Sequence, residues 1–185
     1  MRCNGSNGLV TIWQKVFRVD MTDAPKSMPL EIVTFTQELA TDFYRINAEW
    51  IESMFVMEDS DRKVLENPQS EIIDRGGVIL FVKAMDLGII GACALRKEAE
   101  GVFELTKMGV SSNAQGRKAG EFLLTHMIEC AVLMRAKTLY LLTNWDCTTA
   151  IHLYEKHGFV HDAAIMQRFG GSYDRCNVAM SFPMV

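Results

Sequence analysis

The passage FELTKMGVSSNAQGRKAGEFLL, residues 103–124, holds the residues whose types and spacing could do chemistry. A strand ending at Val110 runs through a short polar loop into a helix that begins within Gln115 to Gly120. The first amides of a helix have no acceptor one turn back, and they carry the positive end of the helix dipole. Such a turn binds a phosphate or pyrophosphate, and the small residues Gly116, Ala119 and Gly120 let a ligand come close. The same small residues also suit a helix that merely packs on a sheet, so two readings stand at this point. The spacing is not the GxxxxGKS/T of a P-loop, nor the GxGxxG of a dinucleotide fold after its first strand.

Other chemistries have less support. The histidines His126, His152, His157 and His161 form no HExxH pattern, so no metal is expected. Cys3, Cys93, Cys130, Cys147 and Cys176 are odd in number, widely spaced and without a CxxC, which argues for free thiols in a reducing cytosol. Cys147 follows a strand and precedes a helix, where a thiolate could be activated, yet no Cys-His-Asp set accompanies it, and a structural role is expected.

The elements that must position the turn are legible from periodicity. Leu30 to Phe35 reads as a strand, and Gln37 to Met57 carries Leu39, Phe43, Ile46, Trp50 and Phe55 at helical spacing. Asp59 to Gln69 is charged, ends in Asn-Pro and reads as a turn. Gly77 to Val82 and Gly88 to Leu95 flank Met85, Asp86 and Leu87 as a β-hairpin, and Val102 to Val110 is a third strand. Gly120, Leu123, Leu124, Met127, Ile128, Ala131 and Met134 then form one apolar helical face. Thr138 to Leu142 reads as a buried strand, and Thr148 to Lys156 as a helix stopped by Gly158. Strands open at Phe159 and span Asn177 to Phe182, giving an α/β chain with a mixed central β-sheet flanked by helices.

The length of 185 residues fits one domain, with 49% hydrophobic and 23% charged residues. Residues 1–27 show no sustained period and read as an N-terminal extension, leaving 28–185 as the domain. A net charge of −4 without a basic block gives no footprint for nucleic acid, and mildly favours cationic substrates. No apolar run approaches the roughly 20 residues of a membrane span, and no signal peptide opens the chain, so a cytoplasmic protein with no membrane partner is expected.

Gln115-Gly116-Arg117-Lys118-Ala119-Gly120 resembles the acetyl-CoA motif Gln/Arg-x-x-Gly-x-Gly/Ala of the GCN5-related N-acetyltransferases (GNAT), which opens a helix after a strand ending in Val. LYLLTNWDCTTAIHLYEKHGF, residues 139–159, resembles the family's strand and helix ending in a Leu-Tyr-Glu-Lys-x-Gly-Phe signature. GGVILFVK and YDRCNVAM extend the likeness to about residues 30–183. The chain departs from the pattern at Lys118, which stands where the family usually has Gly. That side chain must point away from the pyrophosphate or obstruct it, and if it clears the site its ammonium adds attraction for phosphate.

The resemblance implies a GNAT-like acyl-CoA N-acyltransferase fold and transfer of an acetyl group from acetyl-CoA to an amine, without a metal. It implies a coenzyme held between strands that splay, Glu104–Val110 and Thr138–Leu142, with the pantetheine against Met108, Gly109 and Val110 and the pyrophosphate on Gln115 to Gly120. Glu104 falls where several members place a general base, against the alternative of a solvated strand glutamate. Strand alternation would put Glu104, Thr106, Met108 and Val110 on one face. Tyr154 falls where a family tyrosine protonates the departing sulfur, against core packing, and Asn144 either orients coenzyme amides or forms a turn.

Tyr44, Trp50, Glu52, Glu58 and Asp59 could wall an amine site, and Tyr173 with Arg175 could instead bind an acceptor carboxylate. The expected acceptor is a small-molecule amine, with a protein lysine or N-terminus as one alternative and an inactive acyl-CoA-binding module as another. A homodimer is one assembly open to the chain, and the sequence does not give the oligomeric state.

Overall fold

The computed structural model describes residues 29–184, so the expected extension at 1–27 lies outside the described residues. Strand β1, Leu30–Thr34, leads through a single 3-10 turn into helix α1, Ala40–Met54, and helix α2, Asp59–Glu66. Strands β2, Val78–Ala84, β3, Gly88–Ala99, and β4, Val102–Val110, form a meander. Helix α3, Ala119–Leu133, strand β5, Thr138–Thr143, and helix α4, Thr148–Lys156, follow. The chain ends with β6, Val160–His161, helix α5, Ala163–Phe169, and β7, Val178–Phe182.

The seven strands form one sheet in the order β1-β2-β3-β4-β5-β7-β6, antiparallel throughout except for the parallel pair β4 and β5. The run Val-Ile-Leu-Phe-Val in β2 is nearly continuous in its apolarity because helices cover both sides of the sheet. Leu80, Val82, Leu95, Phe103, Leu105, Leu139 and Leu141 pack under Leu123, Leu124 and Met127 of α3. On the opposite side Ile79, Phe81, Ala92 and Ala94 pack against Phe43, Ile46 and Ile51 of α1 and Val64 and Leu65 of α2. Gly158, at φ +93°, ends α4 in the left-handed conformation its position requires, and Phe159 N donates to Tyr154 O at 3.0 Å.

Two readings of the sequence need correction. Asp59 to Gln69 is not a turn: α2 fills most of it, opened by a reciprocal capping box between Glu58 and Asp61, and a π-helical turn at Gln69–Ile73 follows. Strand alternation also fails within β4. Ala92 pairs with Gly109 but Ala94 with Thr106, so β4 carries one extra residue, and Lys107 sits there at φ +52°. Met108 and Val110 consequently join Phe103 and Leu105 on the α3 side, while Glu104 and Thr106 stay on the other. Helix α5 had no counterpart in the sequence reading. No helix among the described residues is long and apolar enough to cross a membrane.

Candidate functional site

Strands β4 and β5 pair only from Val102 with Thr138 to Glu104 with Tyr140, and beyond those residues they part. A cleft of about 860 Å³ occupies the gap, lined by Leu105 to Val110 on one side and Leu142 to Asn144 on the other. Its floor is the start of α3 and its far wall is α4, through Leu153 and Tyr154.

The loop between β4 and α3 is held in shape from three sides. Ser111 N donates to Ile90 O at 2.8 Å, Ser112 N to Glu49 Oε1 at 2.9 Å, and Arg117 grips Asp86 of the β2–β3 turn through two bonds of 2.8 Å. Gly116 at φ +81° and Lys118 at φ +60° then turn the chain sharply into α3. The amides of Ala119 and Gly120 have no acceptor one turn back inside the helix, and both residues line the cleft. Lys118 lines it too, and its place at a left-handed position explains why glycine suits that position. Lys156 Nζ pairs with Glu121 Oε1 at 2.6 Å, offsetting the acid in the first turn of α3.

Of the residues singled out from sequence, Met108, Gly109, Val110, Gln115, Gly116, Lys118, Ala119, Gly120, Asn144 and Tyr154 all line the cleft. Arg117 and Glu104 do not: Arg117 is turned to Asp86, and Glu104 lies behind the wall. The Asn144 side chain shapes its own turn, donating to Arg175 O at 2.7 Å and accepting from Asp146 N at 2.8 Å. Gly109 is needed for close approach, since a Cβ there would meet Trp50 Cδ1 at 2.7 Å. Tyr154 is buried against Phe159, and burial pushes its phenol up, which keeps it protonated.

One end of the cleft is walled by Trp50, Met54, Phe55, Lys107, Tyr173 and Arg175. Tyr44, Glu52 and Asp59 are not part of this wall, and Glu58 stands behind it, 3.1 Å from Arg175. A buried ionic cluster braces this end. Asp61, fully buried, accepts from Lys107 Nζ at 2.7 Å and from Arg175 Nη1 and Nη2 at 2.6 and 2.9 Å. Burial pushes the Asp61 carboxyl up, but the Arg175 guanidinium and the Lys107 ammonium outweigh it and hold the group at about 2. Next to them Arg96 Nη2 donates to Glu104 Oε2 at 2.6 Å, and burial raises the Glu104 carboxyl against the pull of Arg96 and Lys107.

Sequence reasoning missed Lys107 and Asp61. A lysine inside an otherwise apolar strand was the available signal, because a buried ammonium demands a carboxylate partner. Among the described residues no group of three or more His, Cys, Asp or Glu side chains could hold a metal.

Residues 76–161 match the family model of the acetyltransferase (GNAT) domain. No curated protein sequence matches the chain. Among solved structures, a GNAT-family acetyltransferase from Staphylococcus aureus Mu50 superposes with a TM-score of 0.74 at 18% identity, covering 83% of this chain and 98% of that one. PaiA N-acetyltransferase from Thermoplasma acidophilum, in complex with coenzyme A, gives 0.65 at 16%, covering 85% and 100%. A spermidine N-acetyltransferase chimera built from Vibrio cholerae SpeG and hSSAT gives 0.63 at 18%, covering 83% and 95%. The matched residues run from the start of β2 through α4 and include the loop between β4 and α3, so over that span the chain is similar to the GNAT acetyltransferase domain, and its fold is that of the solved GNAT structures.

Proposed function

We propose that this acyltransferase moves an acetyl group from acetyl-CoA to the primary amine of a small molecule, by direct attack in a ternary complex. The observation that carries the reading is the parting of β4 and β5 beyond Glu104 and Tyr140, with the first amides of α3 at the floor of the gap. A pantetheine arm can add to the exposed edge at Met108 to Val110 as a strand would, and a pyrophosphate can accept from the amides of Ala119 and Gly120. Lys118 adds a positive charge at the same mouth. The aromatic wall of Trp50, Phe55 and Tyr173 supports a compact acceptor over an extended peptide. The spermidine acetyltransferase with the same fold is a further support for an amine acceptor.

In this reading the coenzyme presents its thioester carbonyl between the strands. Glu104 is the final acceptor of the proton that the ammonium must lose, and raised by burial it is a stronger base than an exposed carboxylate. The amine nitrogen bonds to the carbonyl carbon, the carbon-sulfur bond breaks, Tyr154 donates its proton to the leaving thiolate, and the second proton lost by the nitrogen as the amide forms restores the Tyr154 phenol.

Thiol release from acetyl-CoA with polyamines, amino acids and peptides as acceptors, alongside calorimetric binding of acetyl-CoA, tests the reading. Turnover on a small amine is expected, and Tyr154→Phe should lower kcat about 100-fold while leaving acetyl-CoA affinity unchanged. Binding without turnover on any acceptor would make the chain a coenzyme-binding module, and turnover on peptides alone would make it a protein acetyltransferase.

A further inference from the structure

Glu104 is 1% exposed and stands off the cleft, yet a base must exchange protons with something in it. Tyr173 fills the intervening place. It lines the cleft, and its Oη donates to Glu104 Oε1 at 3.4 Å. We propose that Tyr173 is the catalytic group that touches the acceptor amine, relaying the amine's proton to Glu104. The inference rests on the amine-acetylating reading above.

The surroundings of Tyr173 suit a relay. Lys107 Nζ donates to its Oη at 3.4 Å and lies 4.6 Å from its ring centroid, fixing the side chain through the bulge of β4. Thr106 Oγ1 also lies 3.4 Å from Oη; with its own proton given to Glu104 and one lone pair taken by Lys107, Oη keeps a second lone pair that can accept from the substrate. Among the described residues, the charged or titratable groups that act on Glu104 include Arg96 and Glu98 on β3, Lys107 on β4, Tyr140 on β5, and Tyr173 and Cys176 before β7. Of these groups, Tyr173 lines the cleft and donates its hydroxyl to the carboxylate.

The step balances without any further reactant. One proton passes from the ammonium nitrogen to Tyr173 Oη as the phenolic proton passes from Oη to Glu104 Oε1. The nitrogen gains a free electron pair, the tyrosine ends as a neutral phenol, and Glu104 ends as a carboxylic acid. Burial favours that neutral form.

Tyr173→Phe removes the hydroxyl and keeps the ring against Lys107, so it separates the relay from the packing. With acetyl-CoA, kcat/KM for a strongly basic amine such as spermidine or propylamine should fall about 100-fold at neutral pH. The loss should shrink as pH rises toward the amine's own pKa, and should vanish with trifluoroethylamine, which is already neutral. Glu104→Gln should show the same dependence on amine basicity. An equal loss on basic and weakly basic amines, at every pH, overturns the relay while acetyl transfer by the wild type still stands. If the wild type releases thiol with no amine, the functional reading fails and takes the relay with it.

Discussion

Lys118 combines a cost with a benefit. Its φ of +60° places a side-chain-bearing residue in a conformation that costs roughly 1–2 kcal/mol outside glycine. The same residue lines the mouth of the cleft with an exposed ammonium, where a pyrophosphate would lie over the amides of α3. Lys118→Gly should therefore raise the urea midpoint, by about 1 kcal/mol of stability, because the strain is relieved. It should also weaken acetyl-CoA binding roughly fivefold, since an exposed charge contributes about 1 kcal/mol, and raising the salt concentration should shrink that difference. Calorimetry on both proteins at two ionic strengths checks the second expectation. Tighter binding by the glycine variant would mean that the side chain obstructs. The residue-level motif was legible in the sequence because a helix start after a strand confines where small residues can stand. The left-handed backbone at Lys118 was not, because lysine carries no preference for it.

At the scale of elements, α2 is joined to β4 through charge. Asp61 on α2 and Lys107 at the β4 bulge meet with Arg175 from the segment before β7, so three parts of the chain close one end of the cleft. Asp61→Asn leaves two buried cations facing a neutral amide, and should destabilise the fold by about 3–5 kcal/mol. The pH dependence has a definite sign. The folded carboxyl, held at about 2 against an ordinary 3.8, contributes stability that is present above the ordinary value and is lost as pH falls through the folded one. Urea unfolding followed from about pH 5 down to 2 should lose about 2 kcal/mol from this group in the wild type, and the Asp61→Asn variant should lack that share. The cluster also explains where the sequence was opaque. Helix α2 buries Val64 and Leu65 beside a charged residue, Asp61, so its pattern resembles a polar turn until Lys107 and Arg175 are known to face it. An extra residue in β4 leaves no trace in composition, and alternation read through it assigns Met108 and Val110 to the wrong side. Helix α5 had a signal that went unused: Asp162 precedes Ala-Ala-Ile-Met and accepts from Ala164 N and Ile165 N.

At the scale of the molecule, the sheet is two antiparallel units, β1 to β4 and β5 with β7 and β6, joined by a parallel seam of three residue pairs. Long apolar strands and the α3 face made this architecture legible, since runs covered on both sides and helices between them leave few other arrangements. A ligand that adds to the edge of β4 in the gap and caps the start of α3 bridges the units where the protein's own pairing stops. Acetyl-CoA at a hundredfold excess over its dissociation constant should stabilise the fold by about 2.7 kcal/mol, which for a chain of this size raises Tm by roughly 5–10 °C. Hydrogen exchange should locate the effect. Amides in Met108 to Val110 and in the first turn of α3 should slow on binding, whereas β2, already paired on both sides, should change little. Slowing confined to the exposed β2–β3 turn, with the two edges of the gap unaffected, would show that the coenzyme does not thread between β4 and β5.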